Sequence, residues 1–336
     1  MVEEQLPTVP PGRFDAFLLV SFGGPEKPED VMPFLRQVTR GRRIPDARLE
    51  AVAEHYYHFG GKSPINDQNR ALLAAIKTSF AQKGISVPLL WGNRNWKPFI
   101  SDAVAELASL GVKRVGAFVT SAFGSYSGCR QYREDIEKAC GEVGANAPEI
   151  VKLPQFYNHR GFLLPQIASL QAAGAAASGT LTLFTAHSIP ESMAASGPYT
   201  NQLRGAAAYV AEALGLTRWQ LAFQSRSGPP TQPWLGPDVV ELVKTINISE
   251  IRRVVVAPIG FVSDHMEIVW DLDHELRQVV EARKLAYHRI PTVGTNRDFV
   301  AMITDLFLAP DFEENSEARL FTPPQRHCFP GCCVIA

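Results

Sequence analysis

The sequence lacks the features that would assign it to several large classes of protein. Its formal net charge is −1 over 336 residues, so no overall field attracts it to nucleic acid or to an anionic membrane. Its longest apolar runs, such as 17–20 and 254–259, have the length of strands and are too short to cross a bilayer. The first residues, MVEEQLPTVPPGRF, lack the basic start and apolar core of a signal peptide. We therefore expect a cytoplasmic protein with no nucleic-acid partner and no stable membrane insertion.

Signatures of nucleotide-binding proteins and of common hydrolases are missing as well. No G-x-G-x-x-G or G-x-x-x-x-G-K-[ST] sequence occurs, and residues 60–63 (GGKS) are only a fragment of a phosphate loop. Neither a serine nucleophile elbow nor an H-E-x-x-H zinc motif is present. NAD-dependent, ATP-dependent and zinc-protease functions therefore lose their main support.

Cysteine is scarce and unevenly distributed. The chain has five cysteines, an odd number, and three of them fall within the last nine residues. This pattern is unlike a secreted disulfide framework. In a reducing compartment, clustered thiols favour metal or cluster ligation, and unligated thiols of a tail are the alternative. The five are Cys129, Cys140, Cys328, Cys332 and Cys333.

What the chain does contain is a regular alternation of short apolar strands and helical patterns. This alternation predicts an α/β fold with doubly wound parallel sheets. The predicted strands are 14–20, 87–91, 115–120, 181–185, 221–224 and 254–259. The predicted helices are 28–38, 71–83, 100–110, 131–140, 161–173 and 203–214.

The two halves of the chain repeat the same order of features. Segments that begin at Pro88 and Gln220 each contain a strand, an arginine turn (Arg94, Arg226), a Trp and Pro segment, a helix and a strand that ends in a Gly/Ser loop. A generic likeness between α/β units is the alternative, but the matched order favours duplication. We predict two similar Rossmann-like half-domains that face each other across a cleft. The predicted divisions are a flexible arm 1–13, half-domains 14–155 and 156–310, and a Cys-rich extension 311–336.

Ligands of open α/β sheets bind at the carboxyl ends of the strands, and one such end carries His187. The sequence TAHSIP places it directly after an apolar strand. A lone histidine there is often structural. Its position on the predicted cleft side favours a catalytic role, because imidazole exchanges a proton near neutral pH.

A second strand end leads into a row of carboxylates. Glu267, Asp271 and Glu275 are spaced by four residues, which places them on one helix face about 6 Å apart along the axis. A solvated acidic face is the ordinary interpretation. Apolar neighbours such as Trp270 and the predicted cleft favour a site that attracts cations, with oxygen ligands that bind Fe²⁺ only modestly.

Six motifs together resemble the ferrochelatase family over nearly the whole chain. They are LLVSFGGPE (18–26), HYYHFGGKSPIN (55–66), WGNRNWKPF (91–99), TAHSIP (185–190), FQSRSGPPTQPWLGPDV (223–239) and PIGFVSDHMEIVWDLDHEL (258–276). The resemblance implies two Rossmann-like half-domains with a porphyrin cleft. It also implies an enzyme that inserts Fe²⁺ into a free-base porphyrin and releases two protons.

The resemblance also implies roles for individual residues. His187 and Glu267 are the catalytic pair at one porphyrin face and contact the incoming Fe²⁺, while Asp271 and Glu275 belong to an iron-entry or proton-exit path. Phe22 replaces a tyrosine that ligates iron in Firmicute members, so this chain offers no protein oxygen at that position. The candidate porphyrin contacts are Phe22, Arg40, Arg43, Ser63, Tyr126 and Tyr132. For Arg40 and Arg43, a solvated basic loop is the alternative.

The RQVTRGRR segment (36–43) and the Gly/Phe/Ser loop resemble the actinobacterial branch of the family. That branch implies coproporphyrin III as substrate and Fe-coproporphyrin (coprohaem) as product. A protoporphyrin IX enzyme that makes protohaem directly is the alternative. Two further alternatives are a non-catalytic haem carrier or iron–sulfur sensor, and a cobalt or nickel chelatase acting on another tetrapyrrole.

The same branch implies a [2Fe–2S] cluster, which needs four thiolates. Cys328, Cys332 and Cys333 supply three of them. Cys129 is favoured as the fourth because it follows a strand-end loop, and Cys140 is the alternative. We further expect a monomer, with transient contacts to neighbouring enzymes of the haem pathway.

Overall fold

The computed structural model of the chain describes residues 14–41, 44–228, 231–309, 316–321 and 333. The predicted arm 1–13, Arg43, Cys328 and Cys332 lie outside these described residues, as does most of the predicted extension 311–336.

The described residues alternate between strands and helices along the chain. The strands are β1 (Ala16–Ser21), β2 (Leu89–Asn93), β3 (Arg114–Val119), β4 (Glu149–Lys152), β5 (Thr180–His187), β6 (Trp219–Gln224), β7 (Arg253–Ala257) and β8 (Ala286–Arg289). The α-helices are α1 (Pro28–Val38), α2 (Asp46–His58), α3 (Ile65–Gln82), α4 (Ile100–Ser109), α5 (Gln131–Val143), α6 (Arg160–Ala172), α7 (Glu191–Ala195), α8 (Tyr199–Ala213), α9 (Val239–Thr245), α10 (Met266–Ile268), α11 (Arg277–Ala282) and α12 (Arg297–Leu308). Two π-helices span Tyr126–Arg130 and Val269–Leu276, and two 3₁₀ turns span Gly144–Asn146 and Ser316–Ala318.

The chain divides into two compact units. The first unit comprises the described parts of Met1–Thr120, Gln131–Pro154 and Arg297–Ser316, and the second those of Ser121–Arg130, Gln155–Asn296 and Glu317–Ala336. The first contains a four-stranded sheet in the order β2-β1-β3-β4, and the second a sheet in the order β6-β5-β7-β8. Every pair of neighbouring strands is parallel. The predicted fold class is thereby confirmed, and the two sheets share one strand order, which agrees with the repeated pattern in the sequence.

Burial of the central strands explains why the sequence forms these sheets. All six residues of β1 are buried, as is expected for a strand covered on both faces of a parallel sheet. In the first unit, alternate residues of β1 pack against α4 and α5 through an apolar cluster that includes Leu18, Val104 and Ile136. In the second unit, β5 and β7 pack against the segment 268–280 through a cluster that includes Val254 and Leu272. Among the described residues, no helix is long and apolar enough to span a membrane.

Several elements differ from the sequence-based expectation. Helix α2 and the short edge strands β4 and β8 were not predicted, because their apolar residues are few and follow no clear period. The helix expected to continue from Glu267 is instead a short α-helical start followed by the π-helix Val269–Leu276. Helix α12 groups with the first unit, although the sequence places it after the second. The half-domain boundaries at 155/156 and 310 remain predictions.

An aromatic cluster shows how α12 contributes to the core of the first unit. The Phe307 ring is 2% exposed and lies 4.7 Å from Phe80, 5.3 Å from Phe14 and 5.9 Å from Phe17, centroid to centroid. Gly116 leaves room for it, because a Cβ added there would lie 2.9 Å from the ring. The chain therefore returns to complete the core of its first unit.

Replacing Phe307 with alanine is expected to lower the free energy of unfolding by about 3–5 kcal/mol, because it opens a cavity among rigid rings. Chemical denaturation with urea measures this change. Leu110→Ala is the matched control, since Leu110 is 56% exposed and its loss should cost little. Equal losses for the two variants would contradict a central packing role for Phe307.

Candidate active site

His187 is the last residue of β5, which lies between β6 and β7 in the second sheet. Its ring Nδ1 contacts the Ser188 carbonyl oxygen. A carbonyl oxygen only accepts hydrogen bonds, so Nδ1 carries the proton and Nε2 bears the lone pair when the ring is neutral. The Tyr199 hydroxyl donates to the His187 carbonyl oxygen at 2.9 Å, which fixes the backbone at the strand end. The basic nitrogen is therefore Nε2.

Glu267 faces that nitrogen from the short helix α10. Its Oε1 lies 3.5 Å from His187 Nε2, and its Oε2 lies 3.9 Å from His265 Nδ1. The Glu267 side chain is 45% exposed, that of His187 32% and that of His265 20%. The pair predicted from two distant strand ends thus lies together within the second unit, and solvent reaches it.

The pair alters the proton affinity of both partners. Burial disfavours the imidazolium form of His187, but the Glu267 carboxylate and the hydrogen bonds to Glu267 and Ser188 outweigh it and raise the pKa of His187 to about 9. Burial disfavours ionised Glu267 too, yet His187 and then His265 hold the pKa of that carboxyl well below its usual range. Water at the exposed carboxylate weakens this attraction by screening. At neutral pH the pair is therefore an imidazolium beside a carboxylate.

His265 behaves in the opposite way. Burial lowers its pKa, and the positive charge on His187 adds to this, although the Glu267 carboxylate opposes both. The ring also packs edge-on against Phe261, with centroids 5.0 Å apart. His265 is thus a neutral histidine beside a charged one.

Asp271 lies in the π-helix Val269–Leu276, four residues after Glu267. The Ser225 hydroxyl donates to Asp271 Oδ2, and Gln224 Nε2 donates to the same oxygen at 3.3 Å and to the Glu267 carbonyl oxygen at 3.1 Å. Burial, opposed by the Ser225 hydrogen bond and reinforced by the Glu267 and Glu275 charges, raises the pKa of Asp271 to about 7. Asp271 can therefore gain and lose a proton near neutral pH. Gln224 thus links Asp271 to the backbone of Glu267. Glu275, the third carboxylate of the predicted row, is exposed.

The predicted porphyrin contacts belong partly to the first unit and partly to the second. In the first unit Phe22 follows β1, is 38% exposed and packs edge-on against Phe34. Arg40 follows α1 and is exposed. Ser63 is 2% exposed, and its backbone N–H donates to the Pro25 carbonyl oxygen.

The two predicted tyrosines differ in environment. Tyr132 of α5, in the first unit, is 5% exposed beneath the Arg94 guanidinium, which lies 4.9 Å from the ring centroid. Burial, opposed by Arg94, raises the pKa of Tyr132 to about 12. Tyr126 is half-buried in the π-helix Tyr126–Arg130 of the second unit. Tyr132 therefore packs in the interior of the first unit.

The described cysteines also separate by unit. Cys129 and Cys333 are both buried in the second unit. Cys140 is half-buried on α5 of the first unit, with its sulfur 4.0 Å from the Pro148 carbonyl oxygen. No group of three or more metal-ligating side chains occurs among the residues that the structure describes, a set that excludes Cys328 and Cys332.

Tyr199, Gln224 and Ser225 were not predicted as site residues. Gln224 is the last residue of β6 and Ser225 follows it, at a strand end of the kind where ligands of open α/β sheets bind. Ser225 has a positive φ of 61°, a conformation that is uncommon outside glycine. That strand-end position was an available signal, but nothing in the pattern of residues identified Tyr199.

Comparison with known proteins agrees with this fold. The sirohydrochlorin chelatase SirB from Bacillus subtilis subspecies spizizenii, solved in complex with cobalt, matches with a TM-score of 0.51 at 12% identity, covering 90% of this chain and 96% of that chain. At this identity the likeness establishes the fold alone. Two parallel sheets of one strand order, with a histidine–carboxylate pair at a strand end, define an α/β protein of the chelatase fold.

Sequence comparison then identifies the family. The family model described as ferrochelatase matches residues 14–309. A ferrochelatase of Rhodopirellula baltica is 49% identical over 298 residues, covering 87% of this chain and 85% of its own. A coproporphyrin III ferrochelatase of Mycobacteroides abscessus is 48% identical over 299 residues, 87% of each chain. The chain belongs to the ferrochelatase family and is an enzyme that inserts a metal ion into a porphyrin.

Proposed function

We propose that this enzyme inserts Fe²⁺ into coproporphyrin III and that His187, Glu267 and Asp271 handle the two displaced protons. The observation that carries the proposal is the 3.5 Å contact between His187 Nε2 and Glu267 Oε1 at the end of β5. The relatives support the choice of substrate, because several of 43–48% identity are named coproporphyrin III ferrochelatases.

The reaction requires a proton acceptor close to the pyrrole nitrogens. Free-base porphyrin carries two pyrrole N–H protons, and both leave as Fe²⁺ binds the four nitrogens. His187 Nε2 accepts the first when its ring is neutral. The raised pKa of His187 means that the ring holds a proton at neutral pH. That proton must therefore leave before Nε2 can accept another. The rate of metal insertion should then rise with pH as His187 loses its proton.

Iron itself promotes this deprotonation. A dication near Glu267 and His187 opposes the imidazolium charge, so arriving Fe²⁺ lowers the proton affinity of the pair. Asp271, with a pKa of about 7, is suited to receive a proton near neutral pH and pass it to solvent. The exposed Glu275 continues the row outwards. Glu267 and His187 also supply the oxygen and nitrogen that contact the metal in transit, and the acidic row forms the iron-entry or proton-exit path.

Coproporphyrin III differs from protoporphyrin IX in having four propionates instead of two propionates and two vinyl groups. Recognition of the extra carboxylates needs cationic or N–H donors. Arg40 is exposed and suits this role, and Arg43 is proposed with it from the sequence. Ser63 retains only its hydroxyl for such a contact, since its N–H is already bonded. Phe22, Tyr126 and Tyr132 complete the proposed contacts to the ring.

Anaerobic insertion of Fe²⁺ into the two porphyrins tests the substrate. We expect kcat/KM for coproporphyrin III to exceed that for protoporphyrin IX by about 10-fold or more, since each lost charge-assisted contact costs about 1.5–3 kcal/mol. Equal kcat/KM values, or a preference for protoporphyrin IX, would contradict the substrate. Porphyrin binding without metal insertion into either ring would contradict the enzymatic proposal itself.

We also propose that the protein carries a [2Fe–2S] cluster bound by Cys129, Cys328, Cys332 and Cys333. The two described thiols of this set fit the group: both are buried and both lie in the second unit. A Cβ added to Gly197 would lie 3.2 Å from Cys333 Sγ, so glycine leaves room for that sulfur. Cys140 lies in the other unit, which favours Cys129 as the fourth ligand. When bound, the cluster would tie the C-terminal segment, through its three thiolates, to Cys129, and the metal insertion needs no electron from it.

Exchange of single thiols tests this ligand set. Cys129→Ser is expected to remove most of the visible absorption and the bound iron and sulfide from anaerobically purified protein, because serine replaces a thiolate ligand. Cys140→Ser is the matched control and should retain both. A colourless, iron-free wild-type protein, or an unchanged Cys129→Ser variant, would contradict the cluster assignment.

We further propose a monomer with transient contacts to the neighbouring enzymes of the haem pathway. The proposed product, a metalloporphyrin with four propionates, would have to pass to a following enzyme of that pathway. Such contacts do not enter the chemistry above.

A further inference from the structure

Strand β8 ends at Arg289, beside the segment that carries Glu267 and Asp271. We propose that Arg289, assisted by Tyr287, is a positioning residue. It binds both ends of the segment 264–273, a set of contacts that we call the clamp, and so keeps Asp271 beside Ser225 and Gln224. The inference rests on the proposed function only for its effect on rate. The clamp itself is a structural feature of the second unit.

Arg289 binds two carboxylates that lie at opposite ends of this segment. Its Nε and Nη2 donate to Asp273 Oδ1 and Oδ2, each at 2.7 Å, and its Nη1 donates to Asp264 Oδ1 at 2.9 Å. The paired bonds to Asp273 have the two-pronged geometry in which guanidinium matches carboxylate. The Arg289 side chain is only 14% exposed. One arginine therefore ties residue 264 to residue 273, and Glu267 and Asp271 lie between them.

Tyr287 adds a contact from the same strand face. Its hydroxyl donates to the Leu272 carbonyl oxygen at 2.8 Å. Residues two apart on a strand point to the same side, so Tyr287 and Arg289 reach consecutive residues, 272 and 273, of the π-helix. The strand that carries them pairs with β7, where Val256 lies opposite Arg289 in the sheet register. The clamp is thus built on a strand of the second sheet.

The proposed role of these contacts is to hold residues 269–276 in the π geometry. π-Helices have i→i+5 hydrogen bonds, are rare, and occur mostly as single turns within α-helices, frequently at functional sites. If residues 269–276 relaxed to ordinary α-helix, each turn would contain fewer residues and the side chains along it would rotate about the axis. Asp271 would then move away from Ser225 and Gln224, which now bond to its Oδ2. The π geometry therefore sets the position of Asp271 relative to Glu267.

Charge gives a second reason why Arg289 cannot be replaced by a neutral residue. Without it, Asp264 and Asp273 would be two partly buried carboxylates, 23% and 31% exposed, facing a vacated cation site. Removing the cationic partner of a partly buried carboxylate is costly. Asp264 and Asp273 would then move towards water. Because Glu267 lies between them in the chain, its position would change as well.

Arg289→Gln and Arg289→Lys test the clamp, with Arg277→Gln as the matched control. Arg277 lies at the start of α11, is 56% exposed and pairs with Glu281, so its loss should change nothing measured here. We expect kcat for iron insertion to fall about 10–100-fold in both Arg289 variants, in the range found when groups that orient metal ligands are lost. The Kd for porphyrin should stay within about twofold. Lysine should not rescue, because it cannot form the paired bonds to Asp273.

Hydrogen–deuterium exchange of residues 264–276 gives a readout that does not depend on activity. We expect faster exchange of this segment in both Arg289 variants and wild-type exchange in the control, because local opening follows the loss of anchoring contacts. A wild-type kcat and wild-type exchange for Arg289→Lys would overturn the proposal. So would a loss of kcat that matches only a reduced fraction of folded protein. If the wild type inserts iron into neither porphyrin, the proposed function fails, whereas the exchange comparison still decides the clamp.

Discussion

Replacing His187 with alanine is expected to lower kcat for iron insertion by about 10²–10⁴-fold, the usual contribution of a positioned general base. Nε2 is the lone-pair nitrogen at the end of β5, because Nδ1 is committed to the Ser188 carbonyl oxygen. Alanine removes this acceptor and leaves the strand unchanged. The affinity for porphyrin should change little, since the ring contacts proposed for other residues remain.

Anaerobic single-turnover kinetics with saturating porphyrin measures this effect, and fluorescence quenching measures porphyrin binding separately. His288→Ala is the matched control, because His288 is an exposed histidine on β8 of the same unit. A His187→Ala variant with near wild-type kcat would remove the assigned role. A variant that no longer binds porphyrin would show that His187 acts in binding instead.

Glu267→Gln is expected to lower kcat by about 10²-fold or more and to shift the pH dependence of the remaining activity. The carboxylate raises the pKa of His187, so the wild-type rate should increase as pH rises towards about 9, where the imidazolium loses its proton. Glutamine keeps the shape of the side chain but removes the charge. Only the Ser188 hydrogen bond and the Asp271 charge then oppose the effect of burial on His187, so the pH at which the rate rises should move lower.

The pH dependence of kcat/KM for Fe²⁺ between pH 6 and 10 measures this shift, because kcat/KM reports the pKa values of the free enzyme, and kcat from the same data measures the loss of rate. Glu281→Gln is the control, because Glu281 is an exposed glutamate on α11 of the same unit and has no part in the site. Its rate and the pH at which that rate rises should stay close to those of the wild type. If the rate of Glu267→Gln rises at the same pH as that of the wild type, the Glu267 carboxylate does not raise the pKa of His187. If it rises at a higher pH, the carboxylate lowers that pKa.

Much of this architecture could be predicted from the sequence because its signals are local. The apolar runs that became β1, β5 and β7 are buried in parallel sheets, where continuous hydrophobic stretches are expected. His187 follows one of these runs directly, and Glu267 follows another by a short loop. Since the carboxyl ends of neighbouring parallel strands lie along one edge of a sheet, their proximity within the second unit could be anticipated.

The remaining features depend on contacts between distant residues. The π-helix at 269–276 was predicted as an ordinary helix, because a spacing of four residues does not distinguish the two. Its support comes from Arg289, on an edge strand too short and too polar to be recognised. Helix α12 joins the first unit through Phe307, and no local pattern encodes which of two similar sheets a helix will cover.

The central claim is that His187 and Glu267 act as one proton-handling unit, and a double-mutant cycle tests it most directly. The kcat of His187→Ala, Glu267→Gln and the double variant would be compared with that of the wild type under identical anaerobic conditions. Residues that act as a unit show strongly non-additive losses. We predict that the double variant is no more than a few-fold slower than His187→Ala alone. A double variant whose loss equals the product of the two single losses would contradict the claim.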